Sequence, residues 1–128
     1  MTQWDAMRWQ TDVDKGSGIR VYRLTGVLTD SRDSFAFIEL VRMELRSKPR
    51  PVLLDLRGVG QLTSAGVGMV AAIDASAQNA KTALALSGLN PAPRRLLEIV
   101  HLLEFVATFE NEQEALAARP NGGWEVRT

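Results

Sequence analysis

The stretch that decides the fold reads Val52-Leu53-Leu54-Asp55-Leu56-Arg57-Gly58-Val59-Gly60-Gln61-Leu62-Thr63-Ser64-Ala65-Gly66-Val67-Gly68. Its first five residues form an apolar run with one carboxylate. Such a run is too short for a helix and is typical of a strand buried on both faces. Gly58 and Gly60 indicate a loop. A helix is predicted to begin at Thr63 and Ser64, because a hydroxyl there can accept a hydrogen bond from an unpaired backbone N–H.

The flanking sequence predicts the remaining elements from hydrophobic periodicity and from turn and cap residues. The predicted strands lie at 7–14, 19–25, 52–56, 82–86 and 105–108, with an edge strand at 124–126, and the predicted helices lie at about 31–47, 63–79, 90–100 and 112–118. The order is β-β-α-β-α-β-α-β-α. Because alternation of strands and helices implies parallel crossovers, we predict one α/β domain over 1–128, with a mixed, mostly parallel sheet and about four helices.

Composition excludes several classes of function. Fifteen basic and 15 acidic residues give a formal net charge of zero, which disfavours binding to nucleic acid or to an anionic membrane surface. Cysteine is absent and His101 is the only histidine, so thiolate chemistry is excluded and a metal site would consist almost entirely of carboxylates. No apolar stretch approaches the ~20 residues of a membrane span, and no signal peptide is evident. We expect a cytoplasmic protein without cofactor, metal or enzymatic activity.

The helix predicted after Thr63 has an unusual surface. Between residues 65 and 77 it carries a single charge. The predicted core-facing stripe consists of Val67, Val70, Ile73 and Ala77. The surface that faces largely elsewhere carries small or apolar residues, where a solvated helix would carry charges: Gly66, Gly68, Met69, Ala72 and Ser76. Two early glycines cost ~1 kcal/mol each relative to alanine, which indicates close approach of another backbone. Two interpretations of this surface remain: either it binds a partner, or the helix is buried on two sides within the domain.

The segment from Leu54 to Gly68 resembles the STAS domain signature of bacterial anti-sigma factor antagonists. In that family, an LDL strand leads into a short turn whose hydroxyl residues open a helix. Residues 96–105 and 112–116 resemble the late helix, the short strand and the last helix of the same family. The resemblance extends over about residues 18–118.

This resemblance implies a switch controlled by phosphorylation. A GHKL-type serine kinase that is also the anti-sigma factor would phosphorylate Ser64, with Thr63 as the alternative acceptor, and a PP2C-type phosphatase would reverse the reaction. The unphosphorylated chain would bind the anti-sigma factor and so release the sigma factor. Thr63 departs from the family, because many members have aspartate there. The implied partner-binding residues are Asp30, Thr63, Ser64, Ala65, Gly66, Gly68, Met69, Ala72 and Ser76.

Electrostatics supports a switch at Ser64. A phosphate adds roughly −1.5 to −2 charges, and a helix N-terminus tolerates that charge well. An apolar interface that covered the same dianion would have to desolvate it, which is costly. Phosphorylation would therefore prevent binding without any change of fold.

Two other functions remain as alternatives. One is a STAS subunit that binds another protein complex constitutively, for example the ATPase of a lipid-transport complex. The other is a small nucleotide-binding α/β protein or hydrolase, against which the absence of a P-loop lysine argues.

Several single residues carry their own predictions. Asp55 is expected to accept hydrogen bonds from N–H groups of residues 58–62, and His101 to end a helix in a left-handed conformation. Arg94 and Arg95 are either phosphate ligands or solvated surface. The tryptophans near the two ends suggest either packing of the termini on each other or a homodimer contact: Trp4, Trp9 and Trp124.

Overall fold

The computed structural model describes residues 7–119 and Trp124. Within this part the strands are β1 (Arg8–Val13), β2 (Arg20–Leu28), β3 (Val52–Leu62), β4 (Leu84–Ser87) and β5 (Ala107–Phe109), and the helices are α1 (Arg32–Ser47), α2 (Ser64–Asn79), α3 (Pro91–Ile99) and α4 (Glu112–Ala118). A short 3₁₀ turn at Leu102–Glu104 precedes β5.

The five strands form one sheet in the order β1-β2-β3-β4-β5. β1 is antiparallel to β2, whereas β3, β4 and β5 continue the sheet in parallel. Each parallel crossover steps to the next strand in the same direction, so right-handed connections put α1, α2 and α3 on one face. The predicted α/β class, element order and mostly parallel sheet are confirmed.

The two faces of the sheet are covered unequally. Tyr22, Leu54 and Leu86 point to the face that carries the first three helices, where the main core lies. The alternate residues Val21, Leu53 and Ala85 point to the opposite face, which α4 and Trp124 cover. The Trp124 indole N–H donates a hydrogen bond of 2.8 Å to the carbonyl of Ala115. In the described part of the chain, a large core therefore lies on one side of the sheet and a small one on the other.

β3 is longer than predicted. It continues through Gly58 and Gly60 to Leu62, with two register shifts against β2, so the predicted loop at the two glycines is wrong. A side chain at Gly58 would come within 2.7 Å of the carbonyl oxygen of Leu24. Gly58 thus allows the irregular pairing with β2, and glycine inside a strand often marks such a bulge.

The apolar series that predicted α1 identifies the helix but does not identify all of its buried residues correctly. Phe35 and Met43 are exposed, by 60% and 55%, although both belong to the apolar series that predicted this helix, and Phe37 is buried instead. The helix boundary is close to the prediction, because Ser31 accepts a hydrogen bond of 3.1 Å from the Ser34 N–H and thereby caps α1.

The tryptophans lie on different faces. Trp9 packs against Phe37 in the main core, with ring centroids 5.4 Å apart, whereas Trp124 belongs to the opposite face. The prediction that the termini pack on each other is therefore wrong for Trp9 and Trp124. A homodimer contact stays a prediction. Trp4 and the rest of the predicted strand at 124–126 lie outside the described residues, and Trp124 itself lies in a turn.

The two early glycines of α2 give the first testable prediction. A Cβ on Gly66 would clash with the Leu28 carbonyl group, whose carbon would lie 3.0 Å away, but a Cβ on Gly68 would meet nothing within 4 Å. We expect Gly66→Ala to lower the free energy of unfolding by about 1–3 kcal/mol through overpacking. Gly68→Ala, the matched control, should raise it by about 0.5–1 kcal/mol. Urea denaturation measures both, and equal effects would contradict the assignment of a close contact to Gly66 alone.

Candidate functional site

The N-terminus of α2 is fixed to the end of β2 by a chain of hydrogen bonds. The Gly66 N–H donates to the Thr63 hydroxyl at 3.3 Å, which donates to the Thr29 hydroxyl at 2.9 Å. The Thr29 hydroxyl in turn donates to the Asp30 carboxylate at 3.0 Å. In addition, the Thr63 N–H donates to the Leu28 carbonyl at 3.1 Å. Thr63 is thus the N-cap of α2, and its hydroxyl is used within the fold.

Ser64 is the first residue of α2 and is exposed. Within the described residues, its hydroxyl makes no hydrogen bond, and the backbone N–H groups of Ser64 and Ala65 have no protein acceptor. The first turn of α2 contains no acidic side chain. Ser64 therefore presents a free hydroxyl beside unpaired N–H groups at the positive end of a helix, where an added anion is stabilised.

The structure separates the predicted partner-binding residues into two groups. Asp30, Ser64 and Gly68 are exposed, and a further set is half-buried at the surface: Thr63, Ala65, Ala72 and Ser76. Gly66 and Met69 are buried, so the expectation that these two lie away from the core is wrong. Gly66 packs on the Leu28 backbone, and Met69 belongs to the main core with 7% of its surface exposed. Contact of the exposed residues with a partner stays a prediction.

A shallow groove of about 290 Å³ runs between the first halves of α1 and α2, close to Ser64. Phe35 forms one wall, and Ala65, Gly68 and Ala72 form the other. A Glu39–Arg42 ion pair of 3.2 Å borders it on α1. We call this the upper groove. Its apolar wall was missed from the sequence, because Phe35 fits the core-facing period of α1 as well as it fits a surface position.

A second polar cluster lies at the carboxyl ends of the parallel strands, on the α4 face. Arg23, Asp55 and Ser87 occupy one row across β2, β3 and β4. Glu112, from the start of α4, accepts two hydrogen bonds from the Arg23 guanidinium, at 2.7 and 3.0 Å. Asp55 accepts a hydrogen bond of 3.0 Å from the Arg57 N–H, so its predicted partners at 58–62 are wrong. The cluster ties α4 to the sheet.

The two carboxylates of this cluster titrate in opposite directions. Burial, together with hydrogen bonding to Glu112 and the negative charge of Glu112, raises the pKa of Asp55. Burial also acts to raise the pKa of Glu112, but hydrogen bonds from Arg23 and Asp55 and the positive charge of Arg23 outweigh it and lower that pKa. The surroundings therefore favour the anionic form of Glu112 and disfavour the anionic form of Asp55.

Other candidate residues lie outside these arrangements. His101 has a φ of +65°, as predicted for a left-handed helix end, and its Nδ1 lies 2.6 Å from a Glu104 carboxylate oxygen. A role for Arg94 and Arg95 in holding phosphate stays a prediction. Across residues 7–119 and Trp124, no group of three or more histidine or acidic side chains is placed to hold a metal ion. Over the same residues, no helix has the length and apolar character needed to cross a membrane.

Solved structures with the same architecture include several anti-sigma factor antagonists. One from Mycobacterium paratuberculosis has a TM-score of 0.75 at 20% identity, with 92% of this chain and 97% of that chain covered. The phosphorylated form of the Bacillus cell fate determinant SpoIIAA has a TM-score of 0.71 at 16% identity, with coverage of 88% and 99%. A sulfate transporter family protein from Wolinella succinogenes has a TM-score of 0.68 at 19% identity, with coverage of 86% and 89%. These likenesses establish the fold.

The strand order and the packing of the helices therefore define an α/β domain whose fold is found both in anti-sigma factor antagonists and in a transporter family protein. The STAS domain model matches residues 10–115 of this sequence. The chain belongs to the STAS domain family. Comparison with curated protein sequences gives no match.

Opposite effects are expected from isosteric variants of the two carboxylates. Asp55→Asn removes a carboxyl group whose anionic form the surroundings disfavour, and it should raise the free energy of unfolding at pH 7 by about 1 kcal/mol. The gain should shrink as the pH falls through the raised pKa of Asp55, because the wild-type carboxyl is then neutral too.

Glu112→Gln is the matched variant. It loses the paired contact with Arg23 and should lower the free energy of unfolding at pH 7 by about 1 kcal/mol. That loss should shrink as the pH falls through the lowered pKa of Glu112. Urea denaturation across the acidic and neutral pH range measures both variants. A lower free energy of unfolding for Asp55→Asn at pH 7 would contradict the conclusion that the surroundings disfavour the anionic form of Asp55.

Proposed function

We propose that this chain is an anti-sigma factor antagonist that binds a GHKL-type serine kinase/anti-sigma factor, and that phosphorylation of Ser64 prevents this binding. The observation that carries the proposal is the free, exposed hydroxyl of Ser64 at the uncompensated N-terminus of α2. Membership of the STAS domain family and similarity to solved anti-sigma factor antagonists agree with it.

Ser64 is a better acceptor than Thr63 because of the hydrogen bonds around them. The Thr63 hydroxyl caps α2 and contacts Thr29, so its phosphorylation would break the link between α2 and β2. The Ser64 hydroxyl has no such role, and a kinase can reach it without disturbing the cap. Phosphorylation at Ser64 is therefore compatible with an unchanged fold.

The dianion would act on the partner rather than on the domain. At Ser64 it would lie beside the free N–H groups of α2, which stabilise it. The neighbouring surface, from Ala65 to Ala72 and across to Phe35, has an apolar wall and small residues. A partner that covers this surface must remove water from the phosphate, and the cost of that step opposes binding.

In this proposal the chain is a substrate and a regulator rather than an enzyme. A PP2C-type phosphatase would restore the unphosphorylated form and with it the capacity to bind the anti-sigma factor. The proposal places the chain in the cytoplasm, where sigma factors meet RNA polymerase, and it requires neither cofactor nor metal.

A constitutive STAS subunit is the second candidate. Its support is the presence of a sulfate transporter family protein and an anion transporter among the structural neighbours. Such a subunit would use the same α2 surface, but it would bind its partner without any phosphorylation at residue 64. A nucleotide-binding function gains no support from the geometry of α2, where Gly66 serves helix docking and no lysine directly follows the two glycines.

Phosphate transfer provides the first test of the proposal. A GHKL-type serine kinase from the same organism, incubated with ATP, should add one phosphate to the wild-type protein and none to Ser64→Ala. Thr63→Asp is the matched control, because aspartate keeps the N-cap but cannot accept a phosphate. Phosphorylation of Thr63→Asp at the wild-type level would assign the acceptor to Ser64, and its loss in that variant alone would assign it to Thr63.

Binding provides the second test. Ser64→Glu should weaken binding to the same kinase by at least about tenfold, which corresponds to about 1.4 kcal/mol. Ser64→Ala should bind as the wild type does. Isothermal titration calorimetry measures both affinities. Undiminished affinity of Ser64→Glu would overturn the switch and favour the constitutive subunit.

A further inference from the structure

The groove between α1 and α2 continues beyond the part that borders Ser64. Both helices cross over between parallel strands, so they run in the same direction along the sheet. The residues that line the groove keep a constant offset of 30, from Phe35 and Ala65 at one end to Pro49 and Asn79 at the other. From residue 65 to residue 80 the groove is about 22 Å long, the length of about 15 helical residues.

The second half of this groove, which we call the lower groove, is the larger one. Its volume is about 720 Å³, and it shares Arg42 and Ala72 with the upper groove. Its floor on α2 consists of small residues such as Ala72, Ala75 and Ser76, and Leu45 supplies an apolar wall on α1. The space is thus open and apolar at the bottom, and it lies next to the surface that borders Ser64.

The charge of the lower groove has one sign. Arg42 and Arg46 line it, and no residue that lines it in the described part of the chain is acidic. Arg42 pairs with Glu39, which borders the upper groove. Arg46 makes no ion pair within the described residues. A ligand that fits this groove therefore combines apolar side chains for the floor with carboxylates for the arginine side.

We propose that the lower groove is a docking site for an acidic amphipathic helix of a protein partner. The inference deepens the proposed function, because the same partner would cover Ser64 with a neighbouring part of its surface. An apolar face at i, i+3, i+4 and i+7 would fill the alanine floor, and acidic residues flanking that face would meet Arg42 and Arg46. The upper groove then provides phosphate control, and the lower groove provides affinity and charge selectivity.

A second copy of this chain fits the groove less well. Its most acidic helix, α4, already buries Ala115 against the sheet, and its Glu112 is held by Arg23. A nucleic acid is disfavoured as well, because two arginines provide few phosphate contacts on a chain with a formal net charge of zero. Charge complementarity thus favours a different, acidic protein.

The test uses three fluorescein-labelled peptides of about nine residues each, the length of the lower groove from Ala72 to Ala80, and each is held helical by a side-chain crosslink. The first has leucines at helical i, i+3, i+4 and i+7 spacing with glutamates flanking them. The second has lysine in place of each glutamate, and the third is a scrambled version of the first. Fluorescence anisotropy with the full chain should show saturable binding of the acidic peptide, at least about tenfold tighter than that of the other two. The affinity should fall between about 50 mM and about 300 mM NaCl.

Matched variants locate the site. Arg46→Glu should weaken binding of the acidic peptide by at least about tenfold, whereas Arg32→Glu, an equal charge change at the start of α1, should alter it less than about twofold. Ala75→Trp should block the floor, whereas Ala71→Trp, on an exposed position of α2 outside both grooves, should not. Circular dichroism melting of each variant confirms that it is folded.

Several outcomes would overturn the inference. They are absence of saturable binding by the acidic peptide, equal binding by the lysine or scrambled peptide, and equal loss in Arg46→Glu and Arg32→Glu. Self-association of the chain that Ala75→Trp abolishes would show instead that a second copy fills the groove. Ser64→Glu keeps the two proposals separate. It should leave binding of the acidic peptide unchanged while it weakens binding of the kinase, so either result can fail alone.

Discussion

The contact between the end of β2 and the first turn of α2 is the constraint on which the candidate site depends. Gly66 packs on the Leu28 carbonyl group so closely that no Cβ fits, and Thr63 bonds to Leu28 and Thr29 at the same place. Because Thr63 and Gly66 are held against β2, Ser64, which directly follows the cap, is turned to the surface. The exposure of Ser64 is therefore a consequence of how the helix is anchored.

The same anchoring sets the relation between α1 and α2. Both helices begin at the carboxyl edge of the sheet and run in the same direction, so side chains at a constant offset line one continuous groove. In the proposed function, a phosphate on Ser64 at one end of that groove would act on a partner that also contacts the groove farther along. This mode of control would need no internal movement of the STAS domain, because the charge would act within the proposed interface.

Much of the fold could be predicted from the sequence, because the short apolar runs around Leu54 and Leu86 and the caps at Ser31 and Thr63 are local signals. The strand through Gly58 and Gly60 could not, since glycine normally indicates a turn, and only the pairing partner shows that a bulged strand continues.

The surfaces of the helices were harder to predict. Phe35 and Phe37 differ by two positions, and the helical period alone does not decide which is buried. Within α2, the close approach expected from its two glycines is real at Gly66 and missing at Gly68. Met69 is buried because it belongs to the main core on the side of α2 that faces α1. Each error concerns which side of a helix packs against a neighbouring element, rather than whether the helix forms.

The unequal covering of the sheet has a dynamic consequence. Among residues 7–119 and Trp124, six buried residues hold the α4 layer, with Ala115 and Trp124 among them, whereas the other face has a far larger core. Since the free energy of local opening follows the number of buried apolar contacts, α4 is the element that should detach first, well before global unfolding. In native-state hydrogen exchange its amide protons would be replaced earlier than those of β3. Transient loss of α4 would expose the back of the sheet and leave both helices that flank Ser64 in place.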